Sequence, residues 1–349
     1  MKPKIILAIE TSCDDTSIAA VKCSGSLTNP KFEVLKNIVS SQIKIHRPFG
    51  GVVPNLAKRE HIKNLPKILK LISKDFDVKK IDYIAVTVGP GLEPALWTGI
   101  SFAQELAAKL KKPLVGVNHM EGHLYSNWLA PAKNFKNLFP AISIVVSGGH
   151  TMLLLMQSAV KWKKLGETID DAAGEAFDKV ARMLELPYPG GPEIEKAALR
   201  GNSVAVKFPR PLLSSPKNPQ KNYDFSFSGL KTSVLYYIRD HFNEKDLRNF
   251  KDDIAASFQQ AVIDVLTQKT LSAAKQFKTK SVMLSGGVSA NKTLREIMRH
   301  AVEQSGKKFF APSFEFNTDN AAMIAAAAYF DLLQKKPSLK FEADSNLTI

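Results

Sequence analysis

Ile5-Ile6-Leu7-Ala8-Ile9-Glu10-Thr11-Ser12-Cys13-Asp14-Asp15-Thr16-Ser17-Ile18-Ala19-Ala20-Val21-Lys22 is the stretch that decides the fold. An apolar run, a polar turn and a second strand from Ile18 to Lys22 make a hairpin. The pattern returns further on as the strand Ala141 to Val146, the tight turn Ser147-Gly148-Gly149-His150 and the return strand Thr151 to Met156. No sequence identity accompanies it, so the recurrence is one of architecture. Between the hairpins, Leu56, Leu65, Ile68, Leu69 and Ile72 recur at helical spacing over 54–75. Ile81 to Val88 reads as a strand ending at Gly89-Pro90-Gly91. A helix across Gly99 to Leu110 follows, and the strand Leu114 to Val117 delivers the chain to His119. Beyond the second hairpin come a Pro- and Ser-rich loop over 208–229 with Pro209, Pro211, Pro216 and Pro219, and an amphipathic helix over 252–277. The strand Val282 to Leu284 then runs into Ser285-Gly286-Gly287, and a helix starts near Asn291. An alanine-rich helix from Asn320 to Leu333 precedes a last dozen residues that read as a polar tail. Strands and helices in this order predict an α/β protein, with helices covering sheets.

The chain has 349 residues, 44% of them hydrophobic, enough for a large core and for two lobes. Forty-eight Lys and Arg against 33 Asp and Glu leave a net charge of +15, which points to an anionic partner, nucleic acid first. Two cysteines, Cys13 and Cys23, allow at most one disulfide and fit a reduced compartment. The apolar run Ile5 to Ile9 is too short for a signal segment. No apolar run approaches the roughly 20 residues of a membrane helix. A cytoplasmic protein with no membrane association is expected.

Two glycine turns follow strands, Ser147-Gly148-Gly149-His150-Thr151 and Ser285-Gly286-Gly287-Val288-Ser289-Ala290-Asn291. Paired glycines let backbone N–H groups approach an anionic oxygen with no side chain in the way. The second turn leads into a helix, whose N-terminus favours phosphate. The acidic turn Glu10 to Asp15 suits a metal or the orientation of a nucleophile. Each turn alone reads more readily as an ordinary hairpin turn; three on one chain, each at a strand end, favour a nucleotide site. His119 and His123 stand four apart, so on a helix they share a face and reach one ion. Two imidazoles with a carboxylate suit zinc or another transition metal with open positions for substrate.

This combination resembles the ASKHA superfamily of actin, Hsp70 and sugar kinases. It resembles most closely its TsaD family. The resemblance rests on Ile9 to Thr16, His119-Met120-Glu121-Gly122-His123, Val146 to Thr151, Asp170 to Lys179, Gly190-Gly191-Pro192, Phe225 to Thr232, Ser285 to Asn291 and Thr318 to Met323, and covers nearly the whole chain. His150, where archaeal and eukaryotic relatives usually carry Asn, points to the bacterial branch. The resemblance implies a two-lobed ASKHA fold, each lobe a mixed sheet flanked by helices. The expected N-terminal lobe is 1–132, completed by 322–349, and the second lobe is 133–321.

The family's members pass the threonylcarbamoyl group of threonylcarbamoyl-AMP to N6 of the adenosine 3′ of the anticodon, in tRNAs reading codons that start with A. AMP leaves and N6-threonylcarbamoyladenosine forms. They bind one divalent metal, usually assigned as Fe2+, with Zn2+ as the alternative. Asp319 is implied as its third ligand beside His119 and His123. Val146, Ser147, Gly148, Gly149, His150, Asp178, Gly191, Glu195 and Asn291 match substrate positions, Asp178 toward the threonyl part. Glu195 stands where the bacterial pattern usually has Asp, a carboxylate on a longer stem. Bacterial relatives act with TsaB, as a heterodimer, and the ATPase TsaE, while TsaC makes the adenylate. Mitochondrial relatives work as homodimers.

Asp14 is the candidate to help the exocyclic amine attack, since a base must come within hydrogen-bond reach of its proton; a turn-capping role reads equally well. Lys161, Lys163, Lys164, Lys207, Arg210, Lys217, Lys221, Lys275, Lys278 and Lys280 include candidate phosphate contacts, which position an RNA without reading it. The helix Gly99 to Leu110 carries Phe102, Leu106 and Leu110 on one face, a core stripe that the family's pairing with TsaB would extend into an interface.

Three alternatives have weaker grounds. A peptidase of the zincin type needs Glu directly after the first His; Glu121 projects roughly 200° away from His119 around a helix. A small-molecule kinase needs Mg²⁺ held by carboxylates and phosphates rather than by a His pair. A non-enzymatic ATP-binding scaffold, in the manner of Hsp70 or actin, would bind nucleotide and show no transfer to RNA.

Overall fold

A computed structural model describes residues 2–129, 135, 137–213 and 223–349. Pro216, Lys217, Pro219 and Lys221 of the expected loop lie outside the described residues. The strands are β1 (Lys4–Glu10), β2 (Asp15–Ser26), β3 (Asn29–Ser41), β4 (Tyr83–Gly89), β5 (Leu114–Asn118), β6 (Ala141–Val146), β7 (Thr151–Ser158), β8 (Lys161–Glu167), β9 (Ser281–Ser285) and β10 (Lys308–Phe310). The helices are α1 (Ile43–His46), α2 (Pro54–Asp75), α3 (Glu93–Leu110), α4 (His119–Tyr125), α5 (Ala173–Met183), α6 (Gly190–Ala198), α7 (Ser228–His241), α8 (Glu244–Gln276), α9 (Lys292–Gln304) and α10 (Ala321–Gln334). Two compact units result: Met1–Phe135 with Pro312–Ile349, and Lys136–Ala311.

The first unit holds a five-stranded sheet in the order β3-β2-β1-β4-β5. β1 is antiparallel to β2, with Ile9 opposite Ile18, and parallel to β4, with Ile9 opposite Val86. β4 is parallel to β5. Ile6 to Ile9 and Ile84 to Val86 are wholly buried, which is why these central strands read as unbroken apolar runs. Leu65, Ile68 and Ile72 of α2 and Leu96, Ile100 and Ala103 of α3 join Leu7, Ile9, Ile18 and Val86 in one core. The expected hairpin is present, and β2 continues to Ser26 and returns as β3. β3 is an edge strand whose exposed Lys31 and Glu33 interrupt any apolar pattern, so the sequence alone does not announce it.

The last dozen residues are not a free polar tail. The Gly116 N–H donates to Ser338 Oγ at 2.9 Å, and the Asp344 N–H to the Val88 carbonyl at 2.8 Å. Phe341, Ala343 and Leu347 pack on the first core. Apolar residues set singly among polar ones make no run to read.

The second unit repeats the path. Its sheet runs β10-β9-β6-β7-β8, with β6, β7 and β8 an antiparallel meander and β9 and β10 parallel to the first of them. β6 therefore plays the part of β1, and the recurrence extends from the hairpin to the whole five-strand order. Helices α5 to α9 pack around it on a core that includes Ile144, Phe177, Phe225, Phe258 and Leu284. Lys161, Lys163 and Lys164 belong to the edge strand β8, where Lys161 and Lys163 face outward and discourage a further strand from pairing.

Candidate functional site

In the first unit β1, β4 and β5 are parallel and end together, and the candidate residues stand at those carboxyl ends. Glu10 ends β1, Thr87 is near the end of β4, and β5 passes through Asn118 into α4. Asn118 Oδ1 accepts the Met120 N–H at 2.8 Å, capping the short helix that carries both histidines. Their rings lie 4.7 Å apart between centroids. Between them, a Cβ on Gly122 would stand 2.9 Å from Ile324 Cδ1, so glycine lets α4 approach α10 closely.

Asp319 arrives from the start of α10. There Asn320 Oδ1 accepts the Met323 N–H at 3.1 Å, and the Ala321 N–H donates to Ser17 Oγ at 2.9 Å. Asp319 Oδ1 lies 3.2 Å from His123 Nε2 and 3.5 Å from His119 Nε2. Among the described residues, His119, His123 and Asp319 form the grouping of three with ligand atoms within 4.8 Å of one another. His123 is wholly buried and neither ring nitrogen has a hydrogen-bond partner. An orphaned buried polar group costs about 1–3 kcal/mol, which coordination would offset. The donor set, two imidazole nitrogens and a carboxylate oxygen, fits a transition metal or zinc.

Glu10 is wholly buried behind His119. Its Oε2 lies 3.0 Å from His119 Nδ1 and accepts the Thr87 hydroxyl at 2.6 Å, while Oε1 accepts the Ser12 N–H at 2.5 Å. Burial opposes a charged His119, but the Glu10 and Asp319 carboxylates outweigh it and raise the imidazole to about 9. Asp14 and Asp15 follow in the turn. Burial and the Asp319 charge raise both, Asp15 to about 7, and Asp15 Oδ1 is buried without a partner. The turn is clamped from behind. His61 Nε2 is 2.9 Å from the Cys13 carbonyl, His61 Nδ1 is 2.8 Å from Thr16 Oγ1, and the Gln42 N–H donates to the Asp14 carbonyl at 3.0 Å. Gln42, His61, Thr87 and Asn118 are not among the residues that the sequence motifs single out. His61 lies within the apolar period of 54–75, and a buried polar residue on that face is the signal that could have found it. Glu121 takes no part in the grouping: its Oε1 is 3.5 Å from Lys336 Nζ, and burial with the Asp331 charge raises it to about 7.

In the second unit, Val146 ends β6 and the glycine turn is closed by the Ser147 N–H donating to the His150 carbonyl at 2.8 Å. The His150 N–H donates to Ser147 Oγ at 3.1 Å. Gly148 and Gly149 are exposed, with open space where a Cβ would be. The turn sits at the start of α5, where the Gly174 N–H reaches the Ser147 carbonyl at 3.3 Å and the Ala173 N–H reaches Thr151 Oγ1 at 3.0 Å. Asp178, further along α5, accepts the Gly190 N–H at 2.7 Å beside Gly191 at the start of α6. Glu195 of α6 accepts the Lys292 N–H at 2.6 Å at the start of α9. Asn291 caps α9 by accepting the Leu294 N–H at 2.8 Å and donates to Gln259 Oε1 at 2.7 Å. Asp178, Gly191, Glu195 and Asn291 are thus linked through α5, α6 and α9. The longer stem of Glu195 places its carboxylate on a backbone amide.

Two further motifs meet as well. Asp171 holds Lys179 and Lys231, each at 2.7 Å, and Asp170 accepts the Phe227 N–H at 2.8 Å. Arg210 is paired with Asp264 at 2.8 Å and Lys164 with Glu167 at 2.8 Å, while Lys207, Lys275, Lys278 and Lys280 are exposed. Among the described residues, no helix is long and apolar enough to cross a membrane.

Comparison with known proteins gives the geometry its context. Solved structures share the fold: HypF of T. kodakarensis, 17% identical with a TM-score of 0.59, covers 95% of this chain, which spans 48% of that one. Full-length HypF in a phosphate- and nucleotide-bound form matches at 13% identity and a TM-score of 0.59, over 97% of this chain and 47% of that one. At such identities the likeness is one of fold, the two-lobed ASKHA type. Sequence relatives reach much further. The tRNA N6-adenosine threonylcarbamoyltransferase of Thermosipho melanesiensis is 50% identical over 348 residues, 99% of this chain and 100% of that protein. Its namesake in Clostridium perfringens strain SM101 is 46% identical over 358 residues, 100% of this chain and 99% of the other. The model of the family TsaD, tRNA N6-adenosine threonylcarbamoyltransferase, matches residues 33–326. The chain belongs to the TsaD family.

Proposed function

We propose that the chain transfers the threonylcarbamoyl group of threonylcarbamoyl-AMP to N6 of the adenosine 3′ of the anticodon, in tRNAs that read codons starting with A. In a member of this family, the observation that carries the reading is the convergence of His119, His123 and Asp319 on one point, with His123 otherwise unpartnered. Those residues would hold one divalent metal, Fe2+ or alternatively Zn2+, which when bound supplies Lewis acidity and charge neutralisation.

The chain's own residues do the rest. The bare backbone of Gly148 and Gly149, at the start of α5, suits the adenylate phosphate. Asp178 takes the threonyl part, and Val146, Ser147, His150, Gly191, Glu195 and Asn291 hold the remainder. N6 attacks the carbamoyl carbon, the bond from that carbon to the phosphate oxygen breaks, and AMP leaves with the electron pair. The proton released from N6 passes to Asp14, whose carboxyl burial and Asp319 make more basic than usual. The anhydride is already activated, so orientation accounts for much of the rate. TsaC supplies the adenylate, TsaB pairs with the chain as a heterodimer, TsaE is the ATPase partner, and the work is cytoplasmic.

The test is to incubate the purified chain with threonylcarbamoyl-AMP and unmodified tRNA, with and without TsaB and TsaE, and to analyse the nucleosides. N6-threonylcarbamoyladenosine is the expected product. Its absence from every combination would refute the reading.

A further inference from the structure

We infer that Glu10 is the positioning residue of the metal centre: it holds His119 by Nδ1 and so commits Nε2 to the ion. The inference rests on the metal reading above and concerns a residue that is not itself a ligand. Three observations carry it. His119 Nδ1 is turned to Glu10 Oε2 at 3.0 Å, while Nε2 is the nitrogen turned to Asp319 at 3.5 Å. Glu10 is wholly buried, so no water competes for its carboxylate. Its oxygens are fixed from two further directions, by the Thr87 hydroxyl at 2.6 Å and the Ser12 N–H at 2.5 Å, both beside the carboxyl ends of adjacent parallel strands.

A neutral imidazole carries one proton, and the nitrogen without it is the ligand. With Nδ1–H donating to a buried carboxylate, the proton is kept off Nε2 and the ring plane is set. An anionic acceptor also makes the imidazole more basic and a better donor to a cation. Ser12 Oγ lies 3.2 Å from the same nitrogen and supplements the carboxylate. Histidine ligands commonly have such partners, whose loss weakens metal binding about 10- to 100-fold.

Glu10→Gln isolates the effect, because an amide has one accepting oxygen where the site needs two. If the oxygen faces the Ser12 N–H, the NH₂ faces His119 Nδ1 and drives the ring toward the tautomer protonated on Nε2. If the oxygen faces His119, the NH₂ meets the Ser12 N–H. Either way the ring loses its anionic acceptor.

The experiment measures Zn2+ affinity by competition with a chromophoric chelator for the unsubstituted chain and for Glu10→Gln, with circular dichroism to verify folding. A 10- to 100-fold weaker affinity in the folded variant is expected. Because a buried carboxylate can be needed for folding, the unsubstituted chain is tested in parallel by ¹⁵N-histidine NMR with Zn2+ bound. His119 should then show zinc on Nε2 and a slowly exchanging proton on Nδ1. Unchanged affinity in a folded Glu10→Gln, or zinc on Nδ1 of His119, overturns the role of Glu10 and leaves the metal reading standing. An unsubstituted chain that binds no zinc, iron or cobalt overturns both.

Discussion

Replacing Gly190 by alanine perturbs the second unit at the joint between α5 and α6, where backbone meets backbone. A Cβ there would lie 2.6 Å from Ala181 Cβ, 2.6 Å from Asp178 Cα and 2.8 Å from the Phe177 carbonyl oxygen. Carbon atoms in contact normally sit about 3.5–4.0 Å apart, so α6 must retreat by roughly 1 Å. None of the crowded atoms belongs to a flexible chain end. Overpacking of this kind costs about 1–3 kcal/mol. The retreat also stretches the bond from the Gly190 N–H to Asp178, 2.7 Å in the native chain. A hydrogen bond to a charged group contributes about 1.5–3 kcal/mol. If about 3 kcal/mol of the total falls on the arrangement that binds the adenylate, affinity drops about 100-fold. Calorimetric titration with AMP measures the drop, and the metal content of the same samples should stay at the native level, since the three ligands lie in the first unit. AMP binding within about twofold of native, in a folded variant, would refute the assignment of the AMP part of the adenylate to Gly191 and the start of α6.

Other expectations follow from the same geometry. The double variant His119→Ala/His123→Ala should lose its ion in elemental analysis, and full retention would sink the metal assignment. His119, raised to about 9, favours the protonated form in the metal-free chain at neutral pH; uptake must expel that proton, so affinity should fall as pH drops below about 9, by roughly tenfold per unit, and more steeply below about 7, where Asp15 adds a second proton. Calorimetry in buffers of different ionisation enthalpy counts the proton, and a pH-independent affinity between 6 and 8 contradicts the expectation. Binding to tRNA should weaken steeply between about 50 and 200 mM salt, because phosphate contacts release counterions. Reversing Lys217 and Lys221 should weaken it further without touching AMP binding; a flat salt response, or a variant that binds tRNA normally, would leave the basic surface to solubility alone. Leu106 is buried and Phe102 and Leu110 pack on the core, whereas Trp97 of the same helix is 40% exposed. Trp97→Ala should therefore weaken pairing with TsaB in size measurements, and a chain that ignores TsaB altogether would count against that surface.

Parts of this fold and site are legible in the amino-acid sequence, for physical reasons that differ from place to place. β1 and β4 are buried on both faces and so appear as unbroken apolar runs, and α2 announces itself by its period. The His119–His123 pair is local, since one turn of one helix makes the contact. Asp319 is not legible from spacing, because its place depends on Ser17 of β2 gripping the start of α10. Glu10 is visible as an acid in a turn, but its partner His119 is contributed by a different strand end. β3 and β8 escape notice because edge strands expose alternate charged residues, and the C-terminal segment because it docks through single apolar side chains and backbone hydrogen bonds.

The repeated strand order also explains why the two hairpin turns carry opposite chemistry. β1–β2 and β6–β7 are equivalent in the two sheets. The first is joined through Glu10, Asp14 and Asp15, and the second through Ser147, Gly148, Gly149 and His150. A turn with three carboxylates repels a phosphate, while one with bare glycines presents N–H groups to it. On the proposed function, the phosphate is therefore expected at the second unit's turn and the cation at the first. The first unit carries the strain of that division: burial and Asp319 act on both Asp14 and Asp15 against ionisation. A cation at His119, His123 and Asp319 would neutralise the charge that disfavours them. Binding of the ion and ionisation of the acidic turn are then one coupled equilibrium, and by linkage whatever binds the folded chain stabilises it. The carboxylate proposed to receive the N6 proton is thus less basic beside a filled metal centre than beside an empty one, with burial left as the cause that raises it.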